Sequence, residues 1–291
     1  MKSLIIFLKL IRVKQWIKNF FVLAPIIFSG RFMDPAAFNA ALIAFISFCF
    51  IASGIYMIND LADIDRDKLH PKKCQRPLAS GQVSKIVAIV LLAGFIASGM
   101  GLAFLLGREF SCLAGGYLIL HGMYNFAGKR VVLMDIGCIA AGFCIRVWAG
   151  SVAIGVLPSG WLQMCVFVLA LFLGFTKRRS EVVTLKGRSG EHREVLREYP
   201  LYFLDQLIMI SATLVIVFYG LYTISPDIVN RVYGHIMVYS VGFVVYGIFR
   251  YLYLIHVKKR KEDADEVLLG DFPLAFNIVA WALFSFFILY R

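Results

Sequence analysis

The stretch Asn59-Asp60-Leu61-Ala62-Asp63-Ile64-Asp65-Arg66-Asp67 sets four carboxylates and one amide within nine residues. Asn59, Asp63 and Asp67 follow i, i+4, i+8, and Asp60 stands three residues before Asp63. On a helix, Asn59, Asp60, Asp63 and Asp67 therefore share one face. Carboxylates that close repel one another unless a cation joins them. Hard oxygen donors on one face suit Mg2+, which favours octahedral oxygen and bridges a few carboxylates to substrate phosphates. The pattern is that of a diphosphate site, with Asn59, Asp60, Asp63 and Asp67 as metal ligands. A solvated acidic turn closing an apolar helix is the plainer alternative. The residues that follow, Lys68 to Gly81, include Lys72, Lys73 and Arg76. Cations beside a carboxylate–metal site can hold phosphate oxygens, and arginine can do so bidentately. Arg76 is the first choice and joins Asp60, Asp63 and Asp67 as a catalytic candidate. Lys72 and Lys73 are read either as phosphate contacts or as ordinary membrane-flanking cations.

Two further groups of residues could do chemistry. Tyr124, Lys129 and Asp135 fall within twelve residues, and Asp135 has Val131 and Ile139 rather than acids four positions away. Arg146 follows Asp135 by eleven residues, about 16 Å along a helix axis and on the same face. A charged residue inside an apolar span is costly and functional by default; the alternative is a structural arginine bonded to a neighbouring span. Lys177-Arg178-Arg179-Ser180-Glu181 closes a later span, where Lys177 is a candidate for substrate contact and Glu181 for a supporting partner. The six cysteines show no C-x-x-C spacing, and the histidines form no metal pattern.

The elements that must position these residues are long apolar runs. The chain has 291 residues, 60% hydrophobic and 16% charged, against nearer half and a quarter in soluble domains. Nine runs stand out, at about 16–30, 37–58, 86–106, 110–127, 131–156, 158–176, 206–226, 232–256 and 272–290. Each is continuous rather than alternating, so helices that satisfy their own backbone are expected, not barrel strands. The expectation is an all-α, polytopic membrane protein of one domain, residues 1–291. With nine spans, 24 of the 30 Lys and Arg fall on one side and four on the other. Positive charge marks the cytoplasmic side, which places the N-terminus and the large loops in the cytoplasm of a bacterium's inner membrane. The opening MKSLIIFLKLIRVKQW reads as a basic amphipathic helix on the membrane surface rather than a cleaved signal. The net charge of +12 then points to anionic lipid and phosphorylated substrates, not nucleic acid.

The N-D-x-x-D-x-x-x-D pattern at the end of the second of nine runs resembles the first aspartate-rich motif of the UbiA superfamily of intramembrane prenyltransferases. Arg12-Val-Lys14-Gln15-Trp16-Ile-Lys18-Asn19 is similar to that superfamily's R-x-x-Q-W-x-K-N entry to its first helix. The resemblance covers the chain through span count and motif order, and implies a helix bundle around a central cavity. It departs at the second aspartate motif, D-x-x-x-D, of which only Asp135 is present. That departure resembles the decaprenyl-phosphate phosphoribosyltransferase branch. So do H-P-x-K-x-x-R-P-x-A-x-G from His70, Y-x-x-x-x-K at Tyr124 to Lys129, R-x-x-A-G at Arg146, K-R-x-x-E at Lys177 and the run at 265–269. The resemblance implies Mg2+-dependent transfer of 5-phosphoribose from phosphoribosyl diphosphate to a polyprenyl phosphate. Lys18, Lys72, Lys73, Tyr124, Lys129, Asp135, Arg146 and Lys177 would contact substrate. The rival expectations are transfer of a polyprenyl group from its diphosphate to an aromatic or other acceptor and, more distantly, a transporter.

Overall fold

Asp34 opens the longest helix: its carboxylate accepts from the backbone N–H of Ala36 and Ala37, with Pro35 in the first turn. Arg31 anchors that cap from outside at 2.6 Å, holding the Asp34 carboxyl below the usual range. In the computed structural model, residues 2–69, 73–126, 128–185, 194–230, 234–260, 267 and 270–290 are described. In chain order the helices are α1 Lys2–Leu10, α2 Ala24–Phe28, α3 Pro35–Ala62, α4 Ile64–Lys68, α5 Lys85–Leu105, α6 Arg108–Phe126, α7 Met134–Ala153, α8 Gly160–Leu185, α9 Leu201–Thr223, α10 Pro226–Val229, α11 Val241–His256 and α12 Phe272–Tyr290. No strand occurs among the described residues.

Seven helices among the described residues are long and apolar enough to cross a membrane: Pro35–Ala62, Lys85–Leu105, Met134–Ala153, Gly160–Thr184, Leu201–Thr223, Gly234–His256 and Phe272–Tyr290. They coincide with seven of the nine expected runs. The run expected at 110–127 is α6, a 19-residue helix that carries Arg108, Glu109, His121 and Asn125. The run expected at 16–30 is not one α-helix. It is a 3₁₀ segment, Val13–Leu23, followed by the five-residue α2 with Pro25 near its start. A 3₁₀ helix rises about 2 Å per residue, so the two pieces still reach roughly 30 Å.

The chain divides into two units. One is Met1–Gly128 with Ile145–Pro158; the other is Lys129–Cys144 with Ser159–Arg291. In the first, α3 packs on α5 through small residues, as membrane helices do where backbones must approach closely. A Cβ on Gly99 would lie 2.7 Å from Ile51, and Ser47 Oγ donates to the Gly99 carbonyl at 2.8 Å. Phe48, Ile51, Phe110, Ala114, Tyr117 and Ala149 fill the core beside them. Gly150 of α7 lies so close to the Val22 carbonyl that no side chain fits there. The second unit packs α8, α9 and α11 around Phe172, Tyr199, Leu204, Ile208, Tyr251 and Leu254. Large apolar side chains such as Ile86, Val90, Phe104, Phe249 and Leu283 face outward and are 60–76% exposed. A water-soluble domain would not tolerate so much outward apolar surface; a lipid-embedded one requires it.

Candidate functional site

The end of α3 delivers the acidic group. Asp63 closes α3 and starts α4, yet Asp63 N–H still donates to the Asn59 carbonyl (3.0 Å) and Asp67 N–H to the Asp63 carbonyl (2.8 Å). Helical spacing therefore continues from Asn59 to Asp67. Asp60 and Asp67 are buried, 3% and 4% exposed, while Asn59 and Asp63 are half-buried and Asp65 faces outward.

Two arginines neutralise the buried pair. Arg76 Nη1 donates to Asp60 Oδ1 at 3.1 Å and to Asp67 Oδ2 at 2.5 Å. Arg12 takes the other edge of Asp60 in a fork, Nε to Oδ2 at 3.1 Å and Nη2 to Oδ1, and its guanidinium lies over the Tyr56 ring. The loop that presents Arg76 is wound on itself: Ser80 N–H and Oγ both donate to the Arg76 carbonyl, and Val83 N–H to that of Pro77. Gly81 sits at φ +73°, where only glycine is unstrained. The R-P-x-A-x-G spacing thus builds a turn that aims one guanidinium at two carboxylates. Lys73 lies exposed in the same loop and Lys18 is half-buried in the 3₁₀ segment. His70, Pro71 and Lys72, and the 265–269 run apart from Val267, lie outside the described residues.

Two polar residues of the 3₁₀ segment, Trp16 and Asn19, turn inward, while Lys14 is exposed. Trp16 Nε1 donates to Ser53 Oγ of α3 (3.0 Å), and Ser53 Oγ to the Ile11 carbonyl (2.9 Å). Asn19, fully buried, accepts from Arg146 Nε at 2.8 Å. Arg146, 4% exposed on α7, also donates to Tyr117 OH of α6 and lies over that ring at 4.7 Å. His121 packs edge-on against Tyr117 (4.3 Å) and Tyr124 against His121 (6.3 Å). Arg146 and Tyr124 thus join one buried polar–aromatic chain, while Asp60 and Asp67 belong to the arginine cluster.

In the second unit Asp135 is fully buried with both oxygens engaged. Arg178 Nε donates to Oδ2 at 2.7 Å and Tyr199 OH to Oδ1 at 2.8 Å. Leu133, in the left-handed region at φ 66°, donates its N–H to the Tyr199 oxygen at 2.7 Å. Burial pushes the Tyr199 phenol far above its ordinary range, so it remains a donor. Arg178 Nη1 also holds Glu181 at 2.6 Å. Lys129, in the 3₁₀ turn Gly128–Arg130 before α7, and Lys177, next to Arg178 in α8, are half-buried.

The donor set at the end of α3 fits a hard divalent cation chemically: two carboxylates, a further half-buried carboxylate and an amide oxygen. Among the described residues no three acidic, histidine or cysteine side chains converge to hold an ion. Arg76 does the bridging between Asp60 and Asp67 instead.

The profile of the UbiA prenyltransferase family matches residues 20–277. The chain belongs to that family. It is a multi-pass integral membrane protein, as its long apolar helices indicate, and a transferase by family. Within the family it is similar to the decaprenyl-phosphate phosphoribosyltransferase of Corynebacterium glutamicum, 32% identical over 282 residues, 94% of this chain and 83% of that protein. The protein of the same name from Mycolicibacterium smegmatis is 33% identical, over 77% of this chain and 71% of its own. A UbiA homolog from Archaeoglobus fulgidus, solved bound to DMAPP and Mg2+, shares the fold with a TM-score of 0.70 at 17% identity, covering 97% of this chain and 98% of that one.

Sequence reasoning gave no role to Arg12, Asn19, Tyr117, Arg178 or Tyr199 as site residues. Arg12 and Asn19 carried a signal, since they are the first and last positions of the R-x-x-Q-W-x-K-N pattern. Arg178 also carried one, standing three before Glu181. Tyr199 carried none, because its partner lies 64 residues away.

Proposed function

We propose that this UbiA-family transferase moves 5-phosphoribose from phosphoribosyl diphosphate to a polyprenyl phosphate, at the cytoplasmic face of a bacterial inner membrane. The observation that carries the reading is the buried Asp60–Asp67 pair, joined by Arg76 at the end of a membrane helix. Two relatives bearing the phosphoribosyltransferase name at about a third identity support the choice of donor. A divalent cation held by Asn59, Asp60, Asp63 and Asp67 would supply neutralisation of the departing diphosphate.

The chain's own residues do the rest by position and charge. Arg76 and Arg12 present guanidinium groups to phosphate oxygens, and Lys18, Lys72 and Lys73 supply further cations. A phosphate oxygen of the acceptor attacks C1 of the ribose as the C1–O bond breaks, and the diphosphate leaves with the electron pair. The acceptor is already anionic, so no general base is needed. Catalysis rests on orientation and preorganised charge. Asp135, saturated by Arg178 and Tyr199, positions Arg178 and the turn at Leu133. Arg146 and Tyr124 line a buried polar chain that an anionic group of the substrate would complete.

Prenyl transfer to another acceptor is the second reading, favoured by the fold shared with the DMAPP-bound homolog. Membranes carrying the protein decide between them. Given labelled phosphoribosyl diphosphate with polyprenyl phosphate, they are expected to yield labelled lipid. Given labelled prenyl diphosphate with 4-hydroxybenzoate, they are expected to yield nothing; the reverse pattern overturns the proposal.

A further inference from the structure

Asp60 and Asp67 are not simply paired; they are covered. Their side chains are 4% and 5% exposed, whereas those of Arg12 and Arg76, which close over them, are 19% and 25% exposed. Whatever approaches from solvent meets guanidinium first. These four side chains also balance to zero charge, so the buried carboxylates offer a lone cation little net attraction. A divalent ion arriving alone has to displace Arg76 from a 2.5 Å bond and a 3.1 Å bond made by the same nitrogen. An anion does the opposite: it attracts both arginines outward and unmasks the carboxylates.

Backbone geometry shows the cover to be held under tension at one end. Arg12 adopts φ 51°, ψ 50°, the left-handed conformation that a side-chain-bearing residue rarely takes. Such a residue is strained and persists where the surroundings impose it. Here the fork onto Asp60 and the stack on Tyr56, 5.0 Å to the ring centre, impose it.

We propose that Arg12 and Arg76 form a two-arginine cover that surrenders Asp60 and Asp67 to a divalent cation only when a diphosphate claims the guanidinium groups. Metal and diphosphate then bind as a coupled pair, each improving the affinity of the other by the same factor, as linkage requires. The inference rests on the metal–diphosphate reading of this site.

The test uses the detergent-solubilised full chain and Mn2+ retained by the protein after gel filtration, with and without inorganic diphosphate. The wild type is expected to bind Mn2+ weakly alone and about tenfold or more tightly with diphosphate, within the usual range of such couplings. Arg76→Gln is expected to bind Mn2+ alone about tenfold more tightly than wild type, with little further gain from diphosphate. Should Arg76→Gln not fold, Arg12→Lys, which keeps the charge but loses the fork, is expected to shift Mn2+ binding in the same direction by less. Mn2+ should also raise the melting temperature of these variants more than that of wild type. If neither variant binds Mn2+ more tightly while Asp67→Asn removes the binding, the site stands and the cover is overturned. If Asp60→Asn and Asp67→Asn leave Mn2+ binding unchanged, the site reading falls and the cover with it.

Discussion

Single side chains in this protein carry opposite burdens of charge and burial. Asp60 and Asp67 are buried acids whose cost is offset, among the described residues, by Arg12 and Arg76. Deleting one member of such a group leaves an uncompensated charge, a loss of about 3–5 kcal/mol. Asp63 is different, because it is half-buried and its substitution disturbs packing less. Asp63→Asn is therefore the sharper probe of chemistry: turnover is expected to fall about 100-fold or more, the scale of a lost electrostatic contact, with melting temperature nearly unchanged. Near-normal turnover would remove Asp63 from the site. The acidic face was legible in the spacing of Asn59, Asp60, Asp63 and Asp67, because helical periodicity alone brings them to one side. Arg76 was singled out by its nearness in sequence, but their second counter-ion was not. Arg12 reaches Asp60 across 48 residues, and no local pattern encodes which of many membrane-flanking cations turns inward.

Elements were read from hydropathy, and seven apolar runs became seven long helices. The first run was misread as a regular span because hydropathy registers apolar content, not hydrogen-bond period. Its 3₁₀ path follows from contacts made elsewhere: Trp16 to Ser53, Asn19 to Arg146, and the Val22 carbonyl against Gly150. That last contact explains the R-x-x-A-G pattern, since Arg146 and Gly150 lie one turn apart and pin two points of the same segment. Gly150→Ala forces a methyl into the Val22 carbonyl and is expected to cost about 1–3 kcal/mol, the usual price of overpacking. Gly137→Ala, on the same helix with open space at its Cβ, is expected to be neutral or slightly stabilising. Thermal melts of the two variants in detergent check the contrast; equal melting temperatures would show that the segment yields freely.

At the scale of the whole molecule, charge sets orientation. If 24 of 30 basic residues mark the cytoplasmic side, Lys73 and Leu157 face opposite compartments. In a background without native cysteines, Lys73→Cys is expected to react with an impermeant maleimide in inverted vesicles only, and Leu157→Cys, 94% exposed, in right-side-out cells only. Both reacting from one side would invalidate the topology. The all-α membrane fold was legible because lipid leaves few choices for an unbroken apolar run. The acceptor and donor are less legible, since the fold is shared with a homolog bound to DMAPP and Mg2+ at only 17% identity.

The central claim is that Asp60 and Asp67 serve a diphosphate leaving group. Its most direct measurement is label transfer by the purified protein from phosphoribosyl diphosphate labelled in the ribose to polyprenyl phosphate, in Mg2+ and in excess chelator. The account predicts labelled lipid and one equivalent of diphosphate from the wild type, neither in chelator, and at least a 100-fold loss in Asp67→Asn. Labelled lipid formed equally well by Asp67→Asn, or none formed by the wild type, would contradict it.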